Sequence, residues 1–293
     1  MPDEQPKQEP AITQEKIIKE YPRLGEDDEF SFRCGKDLDC FTRCCQDVSI
    51  VLTPYDILRM KKSLGITSGE FLKKYTISPF TPEQRIPVVM LKMDEDSKKC
   101  LFVGEDGCSI YGNRPWSCRM YPLGFADPKN PNPDDQKFHF LMKEEICHGH
   151  DTGQVCTVRE WIGDQGIEQY DMMGQSFKEL MLHDFWDREE ALKPEQMDMY
   201  FMACYDLDRF RRFVFESKFL EMFDVDPDRV DAMERDEVEL LEFAMQWLRF
   251  ALFKEKSLRI KHKVREAWER KMAEEGEKPG PATMNERLAN SDG

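Results

Sequence analysis

Ten cysteines stand in this chain of 293 residues, and nine of them fall before residue 157. Cys34, Cys40, Cys44 and Cys45 crowd the stretch CGKDLDCFTRCC; Cys100, Cys108 and Cys118 follow, then Cys147 and Cys156. Thiolates bind soft and borderline metals, so a reduced set of this density is suited to zinc or to an iron–sulfur cluster. Two other uses compete. Cysteines can serve as small buried hydrophobes, but nine in half a chain is too dense for that. They can form disulfides, which need an oxidising compartment. Adjacent Cys44 and Cys45 add a constraint. Neighbouring side chains diverge by about 100° in a helix and about 180° in a strand. The pair is therefore expected not to share one mononuclear zinc. Each could serve a different metal, or both could clasp a larger cluster. Eight thiols would satisfy two four-ligand sites.

The residues around the cysteines fit this chemistry. Gly35, Gly104, Gly107, Gly112 and Gly149 let backbone amides approach a sulfur and spread its charge. Arg33, Arg43, Arg114 and Arg119 could neutralise thiolates, although taken singly each reads as a surface ion pair. His148 and His150 flank Gly149 after Cys147 and read as solvated loop residues rather than ligands. Other catalytic signatures are missing. There is no G-x-G-x-x-G, Walker loop or H-E-x-x-H, and no C-x-x-C redox pair. Cys40-x3-Cys44 is followed at once by Cys45, so the C-x3-C-x2-C of radical S-adenosylmethionine enzymes fails.

Short elements must position these thiols. Thr53, Pro54 and Asp56 predict a helix start as N-cap, N1 and N3, with the helix ending near Leu64 and Gly65. Thr67 with Glu70, and Thr157 with Glu160, predict two more capping boxes. VVMLKM reads as a strand, and CLFV-GEDG-CSIY as a hairpin. From about residue 167 the apolar residues recur at helical spacing: Tyr170, Met173, Phe177, Leu180 and Met181, then Met197, Tyr200, Phe201, Cys204 and Tyr205. Asp226-Pro227 opens another helix, and Val238 to Leu252 marks one more. These stripes read as helix-to-helix core, and Cys204 as a core thiol among them.

The expected fold is α+β: a small cysteine-rich domain with short helices and a β-hairpin, followed by a mainly helical part. Residues 1–20 and 273–293 are expected to be disordered tails, 21–165 the cysteine domain, and 166–272 a helical region packed on it. The formal net charge of −16 disfavours nucleic acid and anionic membranes as partners. The N-terminus has neither the basic nor the apolar segment of a secretory signal, and no run reaches bilayer length. A cytoplasmic location follows as the expectation, and there thiols stay reduced.

The segments CFTRCCQDVSIVLTPYDILRMKKSLGITSGEFL, CLFVGEDGCSIYGNRPWSCRMYP and CHGH…TVREW resemble the YkgJ-type cysteine-cluster family, described as zinc- or iron-chelating. The resemblance covers about residues 30–163. It implies metal ligation by Cys34, Cys40, Cys44, Cys45, Cys100, Cys108, Cys118 and Cys147. Cys156 is outside the pattern, and the interval from Cys34 to Cys40 is longer than the family's usual C-x2-C. The family is similar to flagellin lysine N-methylase, a likeness that implies an iron–sulfur cluster and S-adenosylmethionine. Nothing in residues 166–272 independently marks a methyl-donor pocket. Three functions stay open: a metal-binding module holding an iron–sulfur cluster (such as [4Fe-4S]) or zinc, a protein lysine N-methyltransferase acting through the cluster, and a zinc-stapled interaction protein with a protein partner.

Overall fold

The computed structural model of the chain describes residues 21–79, 86–127, 129, 137–187 and 192–275. The expected tails lie outside these residues, apart from the last three residues of the helix that ends at Glu275. The described residues form two compact units: those up to 41 with those of 120–165, and those of 42–119 with those from 166 to 275.

The first unit is built on two antiparallel strand pairs. β1 (Glu29–Ser31) pairs with β8 (Val155–Thr157), placing Phe30 opposite Cys156. β6 (Leu123–Ala126) pairs with β7 (Phe138–Leu141). In β7 the side chains alternate as a half-buried strand requires, with Phe138 and Phe140 inward. Trp161 packs edge-on to Phe30 and Phe32, with ring centroids 6.1 and 5.4 Å apart. Its helix, Val158–Asp164, starts at the expected Thr157–Glu160 capping box. Neither strand pair is foreseen from the sequence. Three- and four-residue strands are too short to show a period.

The second unit holds the remaining elements. The helix Pro54–Leu64 opens at Thr53, whose hydroxyl accepts from the Asp56 amide at 3.1 Å, and ends at Gly65 in the left-handed conformation (φ 65°). The helix Ser68–Tyr75 begins with the Thr67–Glu70 box. β2 (Thr76–Ile77) pairs with β3 (Met90–Leu91), and β4 (Val103–Gly104) with β5 (Gly107–Cys108), so the expected strand and hairpin are present but short. A five-residue helix, Trp116–Met120, begins in this unit and carries Cys118.

Beyond residue 166 the chain is helical, as its periodicity predicts: Ile167–Met181, Pro194–Cys204, Leu207–Glu216, Phe219–Met222, Pro227–Arg235, Glu237–Phe253 and His262–Glu275. The long Glu237–Phe253 helix packs on Ile167–Met181, Pro194–Cys204 and Pro54–Leu64. Phe71, Tyr200, Phe210, Phe219 and Phe243 are fully buried between them. Burying aromatic side chains of this size dominates the energetics of such a core. Cys204, 1% exposed, belongs to it.

A buried polar cluster ties the cysteine-bearing segment to these helices. Lys61, 4% exposed, donates to Asp208 at 3.0 Å and also to Glu237. The Ser68 hydroxyl donates to Asp206 and Asp208 at 2.7 and 2.8 Å. Removing one member of such a pair leaves an uncompensated buried charge, at a cost of about 3–5 kcal/mol. No helix among the described residues is long and apolar enough to cross a membrane.

Candidate metal centres

The second unit gathers Cys44, Cys45, Cys100, Cys108 and Cys118. Thr42, in the left-handed conformation (φ 68°), turns the chain into a 3-10 turn at Arg43–Cys45. The Cys45 carbonyl then accepts the Cys100 amide at 2.8 Å, and Gln46 bridges to Lys99. These backbone bonds fix Cys44 and Cys45 beside Cys100. The tight turn also removes the divergence expected for adjacent cysteines. A hydrogen bond donated by the Cys45 thiol to the neighbouring Cys44 sulfur is the largest cause holding the Cys45 thiol protonated, followed by burial and by the Cys44, Cys118 and Cys100 thiols.

Cys108 ends β5, Cys100 lies three residues before β4 in a bridge to Met93, and both pack against the hydrophobic core. Burial raises the pKa of Cys100, while the amides of Phe102 and Val103 point at its sulfur and oppose that rise. Burial likewise raises Cys108, opposed by the Ile110 amide and the Arg114 charge. Amides two and three residues after a cysteine are placed to spread charge from a thiolate, an interaction that also tunes cluster potentials. Cys118 is pushed up to about 12, first by burial and then by Cys100 and Cys108, with Arg114 pulling it down. Cys45 thus lies in the field of Cys44, Cys100 and Cys118, and Cys118 in that of Cys100 and Cys108.

Two arginines near this set do more than pair at the surface. Arg114 and Arg119 are each 8% exposed. Arg114 donates to the Cys118 carbonyl at 3.2 Å and stacks on Tyr111 at 3.7 Å. Arg119 donates to the carbonyls of Arg114 (3.0 Å) and Gly112 (2.6 Å) and lies over the Tyr170 ring. Asp56, fully buried, accepts from the Thr53 amide and hydroxyl and from the Trp116 amide, each at 2.8 Å. It therefore anchors the first turn of the helix that carries Cys118. Sequence reasoning saw Asp56 only as a helix N3 residue.

The first unit holds Cys34, Cys40, Cys147 and Cys156. Cys34 is exposed, next to the Arg33–Asp37 ion pair. Cys40 is 8% exposed, and its sulfur accepts the His148 amide at 3.3 Å. Cys147 precedes the 3-10 turn His148–Asp151 and adjoins the Tyr121 phenol, whose acidity is suppressed by burial first and then by the Cys147 thiol. Cys156 stands opposite Phe30 in the β1–β8 pair. Its pKa is raised by burial and by Glu160 and Asp164. Asp39, Cys40 and His148 each offer a donor atom, and these three atoms lie within 4.8 Å of one another. Among the described residues no three of the five sulfurs in the second unit approach so closely. Asp39 was not singled out from the sequence and His148 was read as solvated. The two are 109 residues apart, and no local pattern links them.

The donor chemistry fits a metal: the second unit sets amide hydrogens and the buried Arg114 guanidinium toward its thiols, and the first unit sets an amide hydrogen on the buried Cys40 sulfur beside a carboxylate and an imidazole. A fold of short strands and helices that gathers thiols in this way defines a cysteine-rich metal-binding protein. Residues 33–148 match the family model CxxCxxCC, described as a putative zinc- or iron-chelating domain. Comparison with curated proteins and with solved structures finds no match.

Proposed function

We propose that the chain is an iron–sulfur protein, with Cys34, Cys40, Cys44, Cys45, Cys100, Cys108, Cys118 and Cys147 as its metal ligands. One observation carries the reading. The second unit links five thiols in a chain of electrostatic contacts running through Cys45, Cys100 and Cys118, yet no three of their sulfurs lie within 4.8 Å of one another among the described residues. A tetrahedral zinc site, with Zn–S bonds of about 2.3 Å, holds its sulfurs about 3.8 Å apart. A polynuclear cluster gives each thiolate its own iron and so spaces the sulfurs more widely. The spread and the amide-to-sulfur contacts both favour the cluster, and five thiols offer more than the four it needs. When bound, the cluster would supply one-electron redox chemistry. The amides of Phe102, Val103 and Ile110 would donate to its thiolates, and the Arg114 charge would lie beside Cys108 and Cys118.

The test is iron, zinc and acid-labile sulfide analysis of the full chain purified without oxygen, with a visible spectrum before and after dithionite. Iron and sulfide in matching amounts, with a chromophore that bleaches on reduction, are expected. Stoichiometric zinc without sulfide would instead establish a zinc-stapled fold. Full alkylation of the thiols with no metal present would overturn metal binding altogether. If the lysine-methylating alternative holds, the loaded protein binds S-adenosylmethionine and methylates lysine peptides.

A further inference from the structure

We infer that Asp39 and His148 join Cys40 as ligands of a separate mononuclear centre for a divalent cation of the zinc class, held within the first unit. This rests on the reading that the chain's cysteines bind metal, and adds two ligands that no cysteine pattern contains. The His148 Nδ1 lies 2.6 Å from the Asp39 Oδ1, and all three donor atoms fall within 4.8 Å. With a deprotonated thiol, a carboxylate and a neutral imidazole, the trio carries a charge of about −2, which matches a divalent cation. Sulfur, nitrogen and oxygen together are the donor mix that zinc accepts at about 2.0–2.3 Å. An all-thiolate set suits an iron–sulfur cluster instead. The two units therefore present different donor sets and select different metals.

The fold locks this trio from the backbone side. The Arg33 amide donates to the Gly149 carbonyl at 2.9 Å, and the Phe32 amide to the Gln154 carbonyl at 3.0 Å. A Cβ at position 149 would lie 2.6 Å from the Arg33 carbonyl oxygen and 2.8 Å from the Phe32 ring. Glycine there lets the His148–Asp151 turn seat against the Phe32–Arg33 backbone. That seating brings the His148 amide to the Cys40 sulfur. An exposed His–Asp pair alone would explain the imidazole and the carboxylate. It would not explain why a buried sulfur sits in the same cluster with an amide hydrogen aimed at it. Three protein ligands leave the fourth tetrahedral position for Cys147, which adjoins His148 in sequence, or for water.

Long-range proton–nitrogen NMR of the full chain, labelled in histidine and titrated with zinc without oxygen, reads the ligation directly. One imidazole is expected to shift its Nδ1 resonance to the metal-bound range at one equivalent of zinc. That resonance should vanish in His148→Gln and persist in His150→Gln. Asp39→Asn and Cys40→Ser should raise the zinc concentration at the midpoint of the shift by tenfold or more. Retention of zinc or iron with no imidazole shifted overturns the inference while leaving the cysteine-based metal reading intact. Loss of the shifted resonance in His150→Gln rather than in His148→Gln also overturns it. If the wild-type chain retains no metal of any kind, the underlying reading fails first. The wild-type spectrum decides the ligation even if a variant does not fold.

Discussion

Replacing Asp56 by alanine should cost stability and metal together, and the structure sets the size of the loss. The carboxylate is fully buried and accepts from the Thr53 amide, the Thr53 hydroxyl and the Trp116 amide, each at 2.8 Å. Burial raises its pKa, while those hydrogen bonds and the Arg119 charge pull it down. Removing the reciprocal cap of the Pro54–Leu64 helix costs about 1 kcal/mol. Leaving the buried Trp116 amide without an acceptor adds about 1–3 kcal/mol. The sum, about 2–4 kcal/mol, is a large part of the roughly 5–15 kcal/mol that holds a typical domain. The Trp116 amide also fixes the turn that carries Cys118, so metal content should fall with stability. Asp56→Asn keeps one carbonyl acceptor and should lose only about half as much. It also removes a charge that raises the Cys118 pKa, so its thiol should become more acidic while the fold weakens. Urea denaturation of chelator-treated and as-purified protein, both without oxygen, measures these losses. A loss under about 1 kcal/mol for Asp56→Ala in both states would refute the bridging role assigned to this carboxylate.

Two further predictions concern the thiols. Cys44→Ser and Cys118→Ser should lower metal content and thermal stability together. Cys204→Ala, in the helical core, should leave metal content unchanged and cost about 1 kcal/mol, and metal analysis with a melting curve separates the two cases. Proton competition supplies the other test. Folding raises the thiol pKa values of Cys100, Cys108 and Cys118, the last from an ordinary 9.0 to about 12. A raised folded pKa gives stability that is complete below the ordinary value and lost as pH rises through the folded one. Metal-free protein should therefore weaken between pH 9 and about 12, whereas the loaded protein, already thiolate, should not. Metal uptake at neutral pH must expel the same protons, so apparent affinity should climb with pH. Calorimetry in two buffers of different ionisation enthalpy would show proton release, and no difference between them would count against thiol ligation.

Some of this architecture is legible residue by residue, and the legible parts share a physical reason. Capping boxes at Thr53, Thr67 and Thr157 are local chemistry completed within four residues, and each helix starts where its box stands. The apolar stripe from Val238 to Leu252 recurs over several turns, long enough for its period to announce a helix. What stayed hidden depends on partners far apart in the chain. β1 finds β8 about 125 residues away and contributes three residues, too few to carry a period. The turn at Arg43–Cys45 is set by Thr42 at φ 68°, a backbone state that threonine rarely adopts and that its sequence gives no reason to expect. That one turn decides whether Cys44 and Cys45 diverge or meet.

The same distinction governs the candidate sites. A cysteine advertises its chemistry by type alone, so the thiols could be named before their places were known. Asp39 and His148 are ordinary surface residue types, and only their approach across the fold gives them a second meaning. Arg114 and Arg119 show the converse. Read singly, each looked like a surface cation, yet both are buried and spend their donors on backbone carbonyls around Cys118. Arg114 is the clearer case. Its guanidinium pulls down the pKa of both Cys108 and Cys118 while holding the Cys118 carbonyl. A lysine there would keep the charge but lose the planar fork and the Tyr111 stack that hold it in place. Charge near a thiolate is therefore not enough: the cation must also be held by contacts that the thiolate's own loop provides.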